Sequence, residues 1–162
     1  MGQTTPNSSA TILCVDDLED NLMVRKLMLE TFGYHVLTAT NPPEALQILE
    51  TERVDLVLLD FRFPGFEDGE SLARRVRLKW PEIKLLMLSG FPDIPATARD
   101  SVDAFAVKGA NPAVFRDTLE SLIHPGEQRT PATDAQKQNM ELRKKSQELL
   151  DAVRRSKTRD IA

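Results

Sequence analysis

Apolar runs of strand length recur along this chain, and each one breaks off at a polar residue. Val54-Asp55-Leu56-Val57-Leu58-Leu59 ends on Asp60, and a nearly unbroken run of that length predicts a strand covered on both faces, as in a parallel sheet. Ile12-Leu13-Cys14-Val15 ends on Asp16-Asp17, Leu85 to Leu88 ends on Ser89, and Phe105-Ala106-Val107 ends on Lys108. Tyr34 to Ala39 reads as a further strand. The stretches between them carry helical spacing. Leu22, Leu29 and Phe32 mark a helix from Glu19 to Phe32 that Gly33 stops. Asn41 caps a helix that has Pro42 at its first position and runs to about Thr51. Leu72 and Val76 share a face between Glu70 and Lys79. Asn111 caps a last helix from Pro112 to Ile123. The segment 91–100 holds two prolines and few apolar residues, which leaves room only for a short, marginal helix. Five strands alternating with five helices predict right-handed crossovers and a three-layer α/β sandwich.

The ends of the chain follow other rules. Residues 1–10 are polar and read as a disordered lead-in without signal-peptide character. His124 to Thr133 is a linker rich in Pro, Gly and Thr. Residues 134–158 form helix-favouring sequence in which Ala135, Leu142 and Leu149 fall seven apart. Asn139, Ser146 and Val153 take the companion seam, and two polar residues there make an isolated coiled coil weak. Docking of this helix on the body, on a partner or on a second copy is the expectation.

Composition narrows the class. The chain has 162 residues and a single cysteine, Cys14, placed in an apolar strand, so no disulfide framework is expected and a reducing, cytoplasmic setting follows. No apolar stretch reaches membrane-spanning length. Residues 1–124 carry 12 Lys and Arg against 19 Asp and Glu, whereas residues 125–162 carry 9 against 6. The acidic body argues against nucleic acid as a partner of the domain, and only the mildly basic tail leaves a weak route to it.

Candidate chemistry gathers at the strand ends. An open α/β sheet places its ligands beyond the carboxyl ends of its strands. Two strands delivering Asp16, Asp17 and Asp60 to one edge create a repulsion that a cation relieves. A cluster of carboxylates suits Mg²⁺, which accepts a few carboxylates, a carbonyl and water. His35 and His124 lack metal-ligand companions and read as surface residues.

The order Asp16-Asp17, Asp60, Ser89 and Lys108, each at a strand end, resembles the receiver domain of two-component response regulators over roughly residues 11–123. The resemblance implies a flavodoxin-like fold with strand order 2-1-3-4-5. It implies that Asp60 accepts a phosphoryl group from a histidine kinase or histidine phosphotransfer protein. Asp17, Asp60 and the backbone carbonyl of Arg62 would hold Mg²⁺, with Asp16 acting through water. Ser89 and Lys108 would hold the phosphoryl oxygens, and Ser89 and Phe105 would form the conformational switch. Such a chain is a phosphoacceptor that assists its own phosphorylation and dephosphorylation, and not a turnover enzyme.

The sequence also departs from that pattern. Gly109 replaces the proline that usually follows the lysine, and Asp103 replaces a glycine ahead of the last strand. The loop Phe63 to Gly69 is one residue longer than usual. Segment 91–100 falls where the family has its fourth helix, and is expected to be mobile or rearranged. Arg62 and Phe91 lie two residues beyond Asp60 and Ser89, positions where the resemblance implies an influence on phosphate lifetime. No DNA-binding effector motif follows residue 123, so a protein-binding switch is expected. The alternative is a vestigial receiver serving as a scaffold or dimerisation module through its terminal helix. A haloacid-dehalogenase-like phosphatase would need an aspartate where Arg62 stands.

Overall fold

The computed structural model describes residues 9–65, 67–126, 144–145 and 147–148. Its elements alternate strictly: β1 (Thr11–Val15), α1 (Glu19–Thr31), β2 (His35–Ala39), α2 (Pro42–Thr51), β3 (Leu56–Asp60), α3 (Gly69–Lys79), β4 (Lys84–Ser89), α4 (Ala96–Asp100), β5 (Ala104–Val107) and α5 (Pro112–Ile123). All neighbours in the sheet pair in parallel, in the order β2-β1-β3-β4-β5. This is the flavodoxin-like arrangement that the family resemblance implies. The expected linker lies mostly, and the expected terminal helix almost wholly, outside the described residues; residues 144, 145, 147 and 148 are helical. The expected disordered lead-in likewise falls outside them up to residue 8.

Strand alternation explains the two-sided core. Leu13 and Val15 of β1 point with Val57, Leu59, Leu85 and Met87 toward Ala45, Leu49, Leu72 and Val76 of α2 and α3. Their neighbours Ile12 and Cys14 point with Leu56, Leu58, Leu86 and Leu88 toward Leu22, Leu29, Phe115 and Leu119 of α1 and α5. A strand buried on both faces must be apolar at every step, as β3 is up to its last residue. Burial drives the Cys14 thiol up to about 12, so it behaves as a core side chain.

The caps follow the sequence. Asn41 Oδ1 accepts from the Glu44 amide at 2.9 Å, and Asn111 Oδ1 from the Ala113 amide at 2.9 Å. Asp68 Oδ1 accepts from the Ser71 amide at 2.9 Å, so α3 starts at Gly69, one residue before the expected Glu70. No side chain caps α1 at Leu18. As the prolines dictate, α4 has only five residues, about one and a half turns, pinned by buried Ile94 and Ala98.

Candidate functional site

Sheet register brings the polar strand ends to one level. Val15 pairs with Leu59, so Asp16 follows β1 beside Asp60, the last residue of β3. Asp60 pairs with Leu88, which places Ser89 one step further along β4. Ser89 pairs with Val107, and Lys108 follows directly on β5. Backbone bonds hold the level: the Asp16 amide donates to the Ala39 carbonyl at 3.1 Å, and the Lys108 amide to the Ser89 carbonyl at 2.8 Å.

Asp16, Asp17 and Asp60 each offer a carboxylate oxygen within 4.8 Å of the other two. Asp16 is fully buried and Asp60 is 7% exposed. Three such charges at that spacing fit a small divalent cation bound by oxygen, and the donor set excludes a soft-metal preference. Lys108 Nζ lies 2.6 Å from Asp60 Oδ2. Gly109 takes φ +81°, and among the described residues no peptide is cis. Lysine therefore reaches the acid without the usual proline, through a left-handed turn that glycine adopts freely. Ser89 is 3% exposed, and its Oγ accepts from the Phe91 amide at 3.1 Å. That bond leaves the hydroxyl proton free to be donated elsewhere.

Gly69 has a site role that the sequence reading did not assign. A Cβ built there would stand 2.2 Å from the Asp60 carbonyl oxygen. The Gly69 amide also donates to the Phe61 carbonyl at 3.0 Å. The start of α3 is thus clamped against the end of β3, which fixes where the Asp60 side chain leaves the sheet.

Two further residues were missed, both on α1. Asn21 Nδ2 donates to both oxygens of Asp16, at 3.4 and 3.2 Å. Arg25 Nη1 lies 2.6 Å from Asp16 Oδ2 with its side chain 11% exposed. The Leu18 amide donates to Asp16 Oδ1 at 3.0 Å. The clue was present: Asn21 and Arg25 are four apart and share the helix face that follows the acid pair.

The remaining candidates lie around this edge. Phe105 is half-buried against the core, with the Arg99 guanidinium 5.9 Å from its ring centre. Arg62 and Phe91 are exposed, and Phe91 is 66% exposed. His35 is exposed and His124 half-buried at the end of α5. Asp103 supplies more than a turn: its Oδ2 accepts from the Leu85 amide and from Arg77 Nη2, each at 2.8 Å.

Comparison with known proteins gives one consistent answer. The family model described as response regulator receiver domain matches residues 12–120. The chain is 31% identical over 128 residues to the transcriptional regulatory protein GlrR of Escherichia coli, covering 77% of this chain and 28% of that protein. It is 29% identical over 141 residues to the alkaline phosphatase synthesis regulator PhoP of Bacillus subtilis, covering 80% and 55%. The chain thus spans well under two thirds of these relatives' lengths. Among solved structures, a CheY-like receiver domain protein from Methanospirillum hungatei superposes with a TM-score of 0.68 at 27% identity, covering 73% of this chain and 96% of that one. Response regulator TrrA of Thermotoga maritima, solved in complex with Mg²⁺ and BeF, gives a TM-score of 0.65 at 29% identity, covering 70% and 98%.

Proposed function

The chain belongs to the response regulator receiver domain family of two-component signalling, and from that premise we propose that it is a working phosphoacceptor. In this reading Asp60 takes a phosphoryl group from the phosphohistidine of a histidine kinase or phosphotransfer protein. The observation that carries it is the convergence of three carboxylates within 4.8 Å on an edge where Lys108 Nζ already stands 2.6 Å from Asp60 Oδ2.

The chemistry needs charge compensation and positioning more than any reactive group. Asp17, Asp60 and the Arg62 carbonyl would hold Mg²⁺, with Asp16 acting through water. The ion would offset negative charge shared between the acids and the phosphoryl group. Asp60 attacks phosphorus through one carboxylate oxygen; the P–N bond to the imidazole breaks as the O–P bond forms, and the imidazole nitrogen departs with the electron pair. Lys108 keeps its protons and offers its charge to a phosphoryl oxygen. Ser89 donates its hydroxyl proton to another, and Phe105 responds to the movement of Ser89. Water attack on the same phosphorus returns the carboxylate, so the chain is modified by its reaction and is no turnover enzyme. The output is a change in a protein-binding surface, in a cytoplasmic setting; among the described residues no helix is long and apolar enough to cross a membrane.

Acetyl phosphate with Mg²⁺ tests this. We expect an acid-labile adduct on the wild type that Asp60→Asn does not form. Lys108→Ala is expected to fold normally and lose the conformational response. If the wild type forms no adduct, the scaffold reading replaces the phosphoacceptor one.

A further inference from the structure

Asp16 is already compensated by the protein itself. Its two oxygens accept from the Leu18 amide and the Asn21 side-chain amide, and the Arg25 guanidinium stands at ion-pair distance. Asp60 has Lys108. Among the described residues, Asp17 alone of the three has no such partner. The cluster of three acids therefore carries two cations of its own, Arg25 on Asp16 and Lys108 on Asp60.

Arg25 is unusual among these partners. Its stem runs along a cleft of about 330 Å³ between α1 and α5, lined also by Val24, Met28, Lys108, Pro112 and Phe115. Its Nη1 is buried and sits at ion-pair distance from Asp16, but its N–H is not aligned into a hydrogen bond. The contact is thus Coulombic, without the paired-fork geometry that makes arginine–carboxylate bonds hard to displace.

We propose that Arg25 is a built-in counter-ion that competes with the divalent cation for the charge of Asp16, and so sets how much Mg²⁺ the site needs. This rests on the phosphoacceptor reading. In the metal-free protein Arg25 offsets the burial cost of Asp16. When the cation arrives, the positive charge of Arg25 opposes it, so the site binds Mg²⁺ more weakly than three free acids would. Arg25 is a positioning residue: it touches Asp16 and not the reacting atoms.

Calorimetric titration of Mg²⁺ into the wild type, Arg25→Met and Arg25→Lys provides the test. Methionine keeps the apolar stem and removes the charge, and is expected to tighten Mg²⁺ binding roughly tenfold. Lysine keeps the charge and is expected to stay within about twofold of the wild type. The expected thermal signature runs the other way: metal-free Arg25→Met melts below the wild type, and Mg²⁺ closes the gap. Should the methionine variant fail to fold without metal, nitrogen NMR of the wild-type guanidinium takes its place. The Arg25 resonance is expected to shift with the same Mg²⁺ midpoint as the Asp17 amide. Unchanged or weaker Mg²⁺ binding in Arg25→Met, or an Arg25 resonance indifferent to Mg²⁺, overturns the proposal. If the wild type binds no Mg²⁺ and forms no adduct at Asp60, the phosphoacceptor reading has failed instead.

Discussion

Two strands of one sheet are treated in opposite ways. β3 lies between β1 and β4 and is buried at every position, including Asp60. β5 lies at the edge, and all four of its residues are only half-buried. The difference traces to what covers them. β3 has α3 clamped to its end through Gly69, and apolar side chains on both faces. Beside β5, α4 offers five residues and little beyond Ile94 and Ala98 as anchors. Stability is distributed unevenly in folded proteins, and segments that change shape come from its low end. Under the proposed function this contrast has a use: β3 carries Asp60, and phosphoryl transfer depends on position. The flank carrying Lys108 and Phe105 is only partly covered, which under the same proposal suits a surface that responds.

This contrast can be broken by mutation. Leu59 of β3 and Phe105 of β5 belong to the same core layer. Leu59→Ala is expected to cost about 3 kcal/mol, in the range for a fully buried leucine. Gly69→Ala is expected to cost about 2 kcal/mol, since something must move to relieve the 2.2 Å approach to the Asp60 carbonyl. Under the proposed function that variant should also slow adduct formation at Asp60, because the backbone that moves carries this residue. Phe105→Ala, although it deletes a larger side chain, is expected to cost only about 1.5 kcal/mol because Phe105 is only partly buried. Urea unfolding of the three variants measures the series. A Phe105→Ala loss equal to that of Leu59→Ala would show that both strands are held alike.

The same contrast explains what could be read from sequence. β3 and the acid edge were legible because full burial forces an unbroken apolar run, and the run ends where the sheet ends. Asp16, Asp17, Asp60 and Ser89 were found by that rule, Lys108 by its place after a shorter run in the receiver pattern, and the sheet register brings their strand ends to one edge. The short α4 was legible from Pro92 and Pro95. Gly69 was not, because its need for a bare Cα arises from a backbone oxygen nine residues earlier in the chain. Arg25 was hidden for a similar reason. A charged residue on a helix reads as solvated by default, and only the packing of α1 against β1 turns it inward. Asp103 stood out as a departure from the family, but its partners are set by tertiary approach.

Asp103 gives the smallest expected effect and the sharpest use of pH. It precedes β5 and ties that loose strand to α3 and β4 through Arg77 and the Leu85 amide. Burial pushes its carboxyl up, but the bonds from Arg77 and Leu85 and the nearby Lys84 charge outweigh this, holding it below the ordinary value of 3.8. A folded value below the unfolded one means that the carboxylate stabilises the fold above the unfolded value. That contribution is lost as pH falls from there through the folded value. Asp103→Asn keeps an acceptor oxygen and removes the charge, in a partly exposed pair that salt screens. We expect a loss of about 1 kcal/mol at neutral pH, shrinking toward zero below the ordinary carboxylate range as the wild type takes up the same proton. Urea midpoints of both proteins at neutral and acid pH measure the two losses, and an equal gap at both would contradict this assignment. Hydrogen exchange then returns the test to the two strands. Asp103→Asn should speed exchange of the β5 amides at neutral pH and leave those of β3 slow, because the tie that it cuts holds the edge and not the centre.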